Sequence, residues 1–195
     1  SDGMGGANAG EVASAMATEI FVERLKEWTS AENFPLSADR RGYLEKASIE
    51  AHHSILENSQ ENLERSGMGA TVTAMWIWDR EAAVVQVGDS RRYRLEHDTI
   101  SRITHDQSPV GRLLRSGHLT AEQARLHPQR NLLDQALGAG LESIDPDSYS
   151  FPLEEQQSYL LCTDGLTDAL PDALIHKTYS ELTSEPLSAI CTLLI

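Results

Sequence analysis

Three short acidic turns carry the chemistry open to this chain. Asp2-Gly3-Met4-Gly5-Gly6 opens it, Gly88-Asp89-Ser90-Arg91 follows the apolar run Ala82 to Val87, and Asp164-Gly165-Leu166-Thr167-Asp168 follows the apolar run Tyr159 to Cys162. Each sets a carboxylate where a regular element begins or ends. The neighbouring glycine lets the backbone turn sharply and lets a ligand come close. Asp168 lies one helical turn beyond Asp164, so both carboxylates fall on one side of a helix. Carboxylate and carbonyl oxygens are hard ligands that select Mg²⁺, Mn²⁺ or Ca²⁺ over Zn²⁺. Left alone, clustered carboxylates repel and raise each other's pKa, a cost that a cation removes. A pair of such ions can share a water, lower its pKa and hold a phosphoryl group for in-line attack.

Other chemistries lack their residues. No Cys/His spacing suits zinc, no EF-hand calcium loop is present, and no Gly-x-Ser-x-Gly elbow supports a serine hydrolase. Gly3-Met4-Gly5-Gly6 has the composition of a nucleotide loop, but no strand stands before it and no Gly-Lys-Ser/Thr follows. His52-His53 and the other histidines read as solvated surface. A net charge of −14 argues against a nucleic-acid or anionic-membrane partner, since both demand a basic face. No apolar run approaches the ~20 residues of a membrane span. Cys162 and Cys191 both lie in apolar runs and read as reduced, buried thiols of a cytoplasmic protein.

With 195 residues, 40% of them hydrophobic and 24% charged, residues 1–195 read as one globular domain able to bury a core. Asn8 to Glu11 has the form of a capping box, and Val12, Ala13, Met16, Ala17, Ile20 and Phe21 recur at helical spacing, which predicts a helix to about Trp28. Asn33-Phe34-Pro35 breaks it. A second helix is predicted from about Arg40 to Arg65, with Leu44, Ala47, Ala51, Ile55 and Leu56 facing the core and Gly67 as its stop. Ala70 to Trp78 and Ala82 to Val87 read as strands, with Trp76 and Trp78 sharing one face as packing residues. Arg92 to Leu95 and Thr99 to Ile103 make a hairpin. The Gly- and Pro-punctuated stretch from Asp106 to Gly140 reads as a helical insertion and candidate flap, with short helices near Val110–Ser116 and Ala121–His127, the latter opened by a capping box at Thr120. Strands resume at Tyr149 to Leu153 and Tyr159 to Cys162. Helices near Leu166–Leu170 and Ala173–Tyr179, and one starting near Pro186, close the chain. Successive helices, then strands, then helices do not alternate as in a parallel α/β sheet. They predict an α+β fold of antiparallel sheets covered by helices.

These motifs stand in the order of a known family. Asp2-Gly3-Met4-Gly5-Gly6 with the helix after it, Gly67-Met68-Gly69-Ala70-Thr71, Gly88-Asp89-Ser90-Arg91, Thr104-His105-Asp106-Gln107-Ser108, His127-Pro128 to Asn131 with Ala136-Leu137-Gly138, and Cys162-Thr163-Asp164-Gly165-Leu166-Thr167-Asp168 together resemble the metal-dependent protein Ser/Thr phosphatases of type 2C, the PPM family, in their bacterial form. The resemblance implies an αββα sandwich: two antiparallel sheets flanked by helices, with metals at one end between the sheets. It implies hydrolysis of phosphoserine and phosphothreonine on proteins by a hydroxide bridging two Mg²⁺ or Mn²⁺ ions. It implies phosphoprotein partners that are targets of a Ser/Thr kinase. Carried over by position, Asp2 would bridge both ions, the Gly3 carbonyl would bind one and Asp164 the other, while Asp89 and Asp168 match residues holding a third, more labile ion. The flap holds Arg112, Arg115, Arg125 and Arg130, and of these Arg112 and Arg115 are the candidates for meeting the phosphoprotein, because guanidinium suits phosphate. The family's earlier strand, with its Arg and Asn-Glu-Asp group, and its closing Asp-Asn motif are not among these residues, so the chain reads as shortened at both ends. Met4 stands where some non-bacterial members have a His, Ala7 replaces a frequent His, and Gln107 replaces the His that opens the flap. The other reading is a catalytically inactive module of the same fold that binds a phosphoprotein or regulatory partner.

Overall fold

The computed structural model describes residues 1–30, 39–182 and 185–194. In chain order the elements are β1 (Gly3–Met4), α1 (Ala7–Ser30), α2 (Arg40–Glu61), β2 (Gly69–Ala70), β3 (Val72–Trp78), β4 (Glu81–Val87), β5 (Arg91–Leu95), β6 (Ile100–Arg102), α3 (Pro109–Arg115), α4 (Ala121–Arg125), β7 (Leu137–Gly138), β8 (Asp147–Pro152), β9 (Ser158–Cys162), α5 (Asp164–Ala169), α6 (Asp172–Glu181) and α7 (Leu187–Leu194). All strand pairs are antiparallel, in the orders β1-β2-β7, β3-β4-β8 and β6-β5-β9.

The first two of these sheets form one layer. β2 and β3 are a single stretch interrupted at Thr71, whose N–H continues the pairing with β1 by donating to the Asp2 carbonyl at 2.8 Å. Their inner face meets α1 and α2. Ala13, Ala17 and Phe21 of α1 and Leu44, Ala47, Ala51 and Ile55 of α2 are buried against Ala70, Val72 and Leu137 of the strands. These positions recur at the helical spacing that makes a core-facing stripe. Along β4, Ala83, Val85 and Val87 join that helix-side core, while the alternate Ala82 and Val84 are buried facing the other way. Trp76 and Trp78 pack at the margin of the helix-side core, with the Arg40 guanidinium 4.4 Å from the Trp78 ring centre.

The third sheet covers the opposite face. β5 shows the alternation: Arg92 points between the sheets and Tyr93 points away to α6, where its hydroxyl donates to Asp172 at 2.9 Å. The Arg92 guanidinium donates to the Tyr149 hydroxyl and lies 4.9 Å from the Tyr149 ring centre and 5.5 Å from that of Phe151. Burial without a carboxylate partner in contact pushes its pKa down to about 10. Outside this sheet Ile175 of α6 and Ile190 and Leu194 of α7 form a second core with Ile100 and Leu160. The order helix, sheet, sheet, helix is the predicted α+β sandwich.

Local details differ from the sequence expectations for identifiable reasons. α1 starts at Ala7, with the Gly6 carbonyl accepting from the Gly10 N–H at 2.8 Å, so Asn8 lies inside the first turn and not at a cap. α2 stops at Glu61, not near Arg65. Asn62 takes an extended backbone and its side chain accepts from the Glu64 N–H at 3.0 Å, so a 3₁₀ turn, Leu63–Arg65, follows instead. Leu56 is half-buried. The expected break at Asn33-Phe34-Pro35 lies outside the described residues. His52 is buried, not solvated, and its Nδ1 accepts from the Gly138 N–H at 3.0 Å, which ties α2 to β7. Burial, then the neighbouring His53, lowers its pKa. Cys191 is exposed, because α7 turns Ile190 and Leu194 inward and leaves its other face to solvent, and Cys162 is half-buried. The Thr120 capping box forms as read, joining the Gln123 N–H to Thr120 and the Thr120 N–H to the Gln123 side chain.

Candidate functional site

Two of the acidic turns are joined through one hydroxyl. The Asp2 N–H donates to Thr71 Oγ1 at 3.0 Å, and Thr71 Oγ1 is 2.7 Å from Ser90 Oγ. With the Asp2 amide donating to it, the Thr71 hydroxyl is free to donate to Ser90, so the chain runs from the β1 end to the Gly88-Asp89-Ser90 turn. Gly3 is required beside Asp2: a Cβ there would stand 1.9 Å from the Gly10 carbonyl oxygen, where α1 crosses β1. Gly88 is required beside Asp89, since its φ is +101° and a Cβ would lie 2.7 Å from Thr71 Cγ2.

The third turn supplies Asp164 as the first residue of α5, directly after β9, with Thr163 preceding it in extended backbone. β9 pairs with β5 so that Arg91 faces Cys162, which brings the Asp89 and Asp164 turns to the same end of the sandwich. There a cavity of about 420 Å³ opens, lined by Asp89, Asp106, Asp164 and Asp168 together with Arg91, Arg102, Arg125 and Arg130. Asp2 and Gly3 line a separate shallow cleft with Glu11 and Ser14. Arg91 and Arg102 are committed to Asp106: Arg91 donates to it twice, at 3.2 and 2.9 Å, and Arg102 once more. Arg125 donates to the Asp168 carbonyl at 2.6 Å, and Arg130 lies 3.8 Å from the Asp168 carboxylate.

The electrostatics mark the acidic pair at the centre. Asp164 is pushed up to about 6, by burial first, then by its hydrogen bond with Asp2 and the charges of Asp2 and Asp168. Asp89 is likewise pushed up to about 6, by burial first and then by Asp164 and Asp106. Arg91 offsets only part of this at Asp89, because its guanidinium is bonded to Asp106. Among the described residues no three His, Cys, Asp or Glu side chains converge on one point as a closed cage. Asp164 is in contact with Asp2, and Asp89 and Asp168 lie near it. Hard cations that keep several waters are held in this way, by one or two carboxylates each. The donor set therefore fits Mg²⁺ or Mn²⁺ in chemical type, and soft metals find no thiolate or imidazole here.

The structure thus brings Asp89, Asp164 and Asp168 into one cavity and Asp2 into contact with Asp164 across its rim. Arg112 and Arg115 lie outside that cavity: both are exposed, and Arg112 pairs with Asp134. Arg125, Arg130 and Asp106 are among the further charged residues that line it, with Arg91, Arg102, Glu122 and Asp172. Asp106 carries a sequence signal, an acidic residue between a strand end and the Ser108-Pro109 helix start. Arg125 and Arg130 carry none that sets them apart from their neighbours, because their place depends on how α4 returns to α5.

A model of the family described as protein phosphatase 2C matches residues 1–189 of the chain. The serine/threonine phosphatase stp of Listeria innocua is 36% identical over 177 residues, 90% of this chain and 68% of that protein. The solved structure of the serine/threonine phosphatase Stp1 from Staphylococcus aureus superposes with a TM-score of 0.86 at 32% identity, covering 99% of this chain and 73% of that one. The catalytic domain of the serine threonine protein phosphatase PstP, solved in complex with two manganese ions, superposes with a TM-score of 0.76 at 28% identity, covering 90% of this chain and 70% of that one.

Proposed function

Because the chain belongs to the protein phosphatase 2C family of metal-dependent protein Ser/Thr phosphatases, we propose that it removes phosphate from phosphoserine and phosphothreonine of proteins at a site for two Mg²⁺ or Mn²⁺ ions. The observation that carries this reading is the gathering of the acidic turns at one end of the sandwich: Asp89, Asp164 and Asp168 line one cavity, with Asp2 next to Asp164. Buried carboxylates this close are disfavoured as anions, and divalent cations relieve that. In this reading Asp2, the Gly3 carbonyl and Asp164 would hold the ion pair, and Asp89 and Asp168 would hold a third, more weakly bound ion. Bound there, divalent ions supply acidity that makes water nucleophilic near neutral pH and offset charge on the phosphoryl group. The protein's own residues do the rest. Thr71 fixes the Asp2 backbone against the Asp89 turn, the start of α5 sets Asp164, and Arg125 and Arg130 place positive charge where an anionic phosphoprotein enters the cavity.

Residues 106–140 are the flap in this reading, and the substrates are products of a Ser/Thr kinase in the cytoplasm. No helix among the described residues is long and apolar enough to cross a membrane. The test is phosphate release from a phosphothreonine peptide by the full-length protein, with and without Mn²⁺. We expect strict dependence on Mn²⁺ or Mg²⁺, and a loss of at least ~100-fold in kcat/KM for Asp164→Ala, since even residues that only support metal ligands cost up to about that much. Metal-independent hydrolysis, or an Asp164→Ala variant as active as the parent, would overturn it.

A further inference from the structure

Gln107 commits every polar group it has to three separate segments. Its side-chain Oε1 accepts from the Gly88 N–H at 2.8 Å, and its own N–H donates to the Gly88 carbonyl at 3.0 Å. Its carbonyl accepts from the Asp134 N–H at 2.8 Å, and its side-chain Nε2 donates to the Asp145 carbonyl at 3.0 Å. The Gly88 peptide is gripped further by Gln86, whose Nε2 donates both to the Gly88 carbonyl at 3.1 Å and to the His105 carbonyl at 3.0 Å. The Asp145 peptide is gripped from its other side, its N–H donating to Gln135 at 2.9 Å. One residue thus ties the turn that carries Asp89 to the point where the 106–140 segment leaves the strands and to the stretch where it returns.

The tie has little slack. Gly88 is held at φ +101° over Thr71, so the plane of its peptide sets the direction in which Asp89 leaves the turn. The other wall of the cavity, with Arg125 and Arg130, belongs to the segment whose two roots Gln107 joins. Building on the proposed phosphatase site, we infer that Gln107 is a positioning residue that holds Asp89 and both roots of the 106–140 segment in one register, so that cation affinity and phosphoprotein affinity change together. A glutamine suits this because a single side chain offers an acceptor and a donor on opposite sides of one planar group.

The test uses the full-length protein with Gln107→Leu, which keeps the volume and removes both side-chain bonds, and Gln107→Asn, which keeps the amide but is one carbon too short to span both partners. Amide hydrogen exchange is read at Gly88 and Asp134, beside the Mn²⁺ concentration for half-maximal hydrolysis of a small aryl phosphate and the KM for a phosphothreonine peptide. The Asp134 N–H is bonded to the main chain of Gln107, which neither substitution removes, so its response reports transmission and not mere loss of a partner. The expected result is about tenfold faster exchange at both amides, the equivalent of one lost hydrogen bond, with half-activating Mn²⁺ and peptide KM both raised several-fold. Faster exchange at Gly88 alone, or loosened amides with unchanged half-activating Mn²⁺, would overturn the coupling. If Gln107→Leu does not fold, Gln107→Asn is judged by the same criteria. A parent protein that releases no phosphate defeats the phosphatase reading, while the exchange of the two amides still decides whether Gln107 is the clasp.

Discussion

Removing the charge of Asp164 should stabilise the metal-free protein. Its carboxyl rises from 3.8 to about 6 on folding, so the fold disfavours the ionised form. A carboxyl whose folded pKa lies above its unfolded value gives stability that is fully present below 3.8 and is lost as pH rises through about 6. At about 1.4 kcal/mol per pKa unit, a fully buried group would cost about 3 kcal/mol at neutral pH. Asp164 is only half-buried, and solvent screening brings that to about 1.5 kcal/mol. Its place as the first residue of α5 works the other way, since a negative charge at a helix start is worth about 0.5 kcal/mol. Asp164→Asn should therefore gain about 1 kcal/mol at pH 7.5 in chelator, which for a chain of this size raises Tm by roughly 2–4 °C. At pH 4.5 the folded carboxyl is largely neutral and the gain should fall to about a third. Saturating Mn²⁺ should reverse the order, because a ligand present at a hundred times its Kd stabilises by about 2.7 kcal/mol and the variant binds it less well. Thermal unfolding at the two pH values, with chelator and with Mn²⁺, measures all of this. A variant no more stable than the parent at pH 7.5 in chelator, or a gain undiminished at pH 4.5, would refute the account of the raised carboxyl.

Thr71→Val should destabilise the fold by about 1–3 kcal/mol, because the part-buried Asp2 amide loses its acceptor and the Ser90 hydroxyl its partner. A urea midpoint within error of the parent's would show that the hydroxyl is not the joint between the two turns. For the arginines, Arg125→Gln with Arg130→Gln should raise the KM for a phosphopeptide about tenfold or more, as expected when charge-assisted bonds are lost. The pair Arg112→Gln with Arg115→Gln should do less, because both lie outside the cavity and Arg112 is already paired with Asp134; equal effects from the two pairs would sink the assignment of the entry wall.

What could be read from the sequence, and what could not, divides along the range of the interactions. The Thr120 capping box closes within one turn, so its residues announced it. The strands β4 and β9 are apolar runs ending at glycine-bearing acidic turns, and they stand where their composition put them. Asn8 offered the same local signal as Thr120, yet the backbone of Gly6 took the cap position, because close packing of Gly3 on Gly10 fixes where α1 meets β1. His52 had the outward look of a lone polar residue, and only the approach of β7 supplies the Gly138 N–H that lets it be buried. Arg92 is harder still: nothing beside it in the chain shows that Tyr149 and Phe151 will flank its guanidinium in the space between the sheets. The same limit applies inside the site. Three acidic turns named the carboxylates, because each turn is a local event. The parts that hold those carboxylates in place, Thr71 bridging Asp2 to Ser90 and Gln107 bridging Gly88 to Asp134 and Asp145, span 19 to 69 positions of chain. Such bridges hold only while their distant partners stay in register, so the candidate carboxylates are readable one turn at a time, while their placement depends on contacts made only when the whole sandwich has closed.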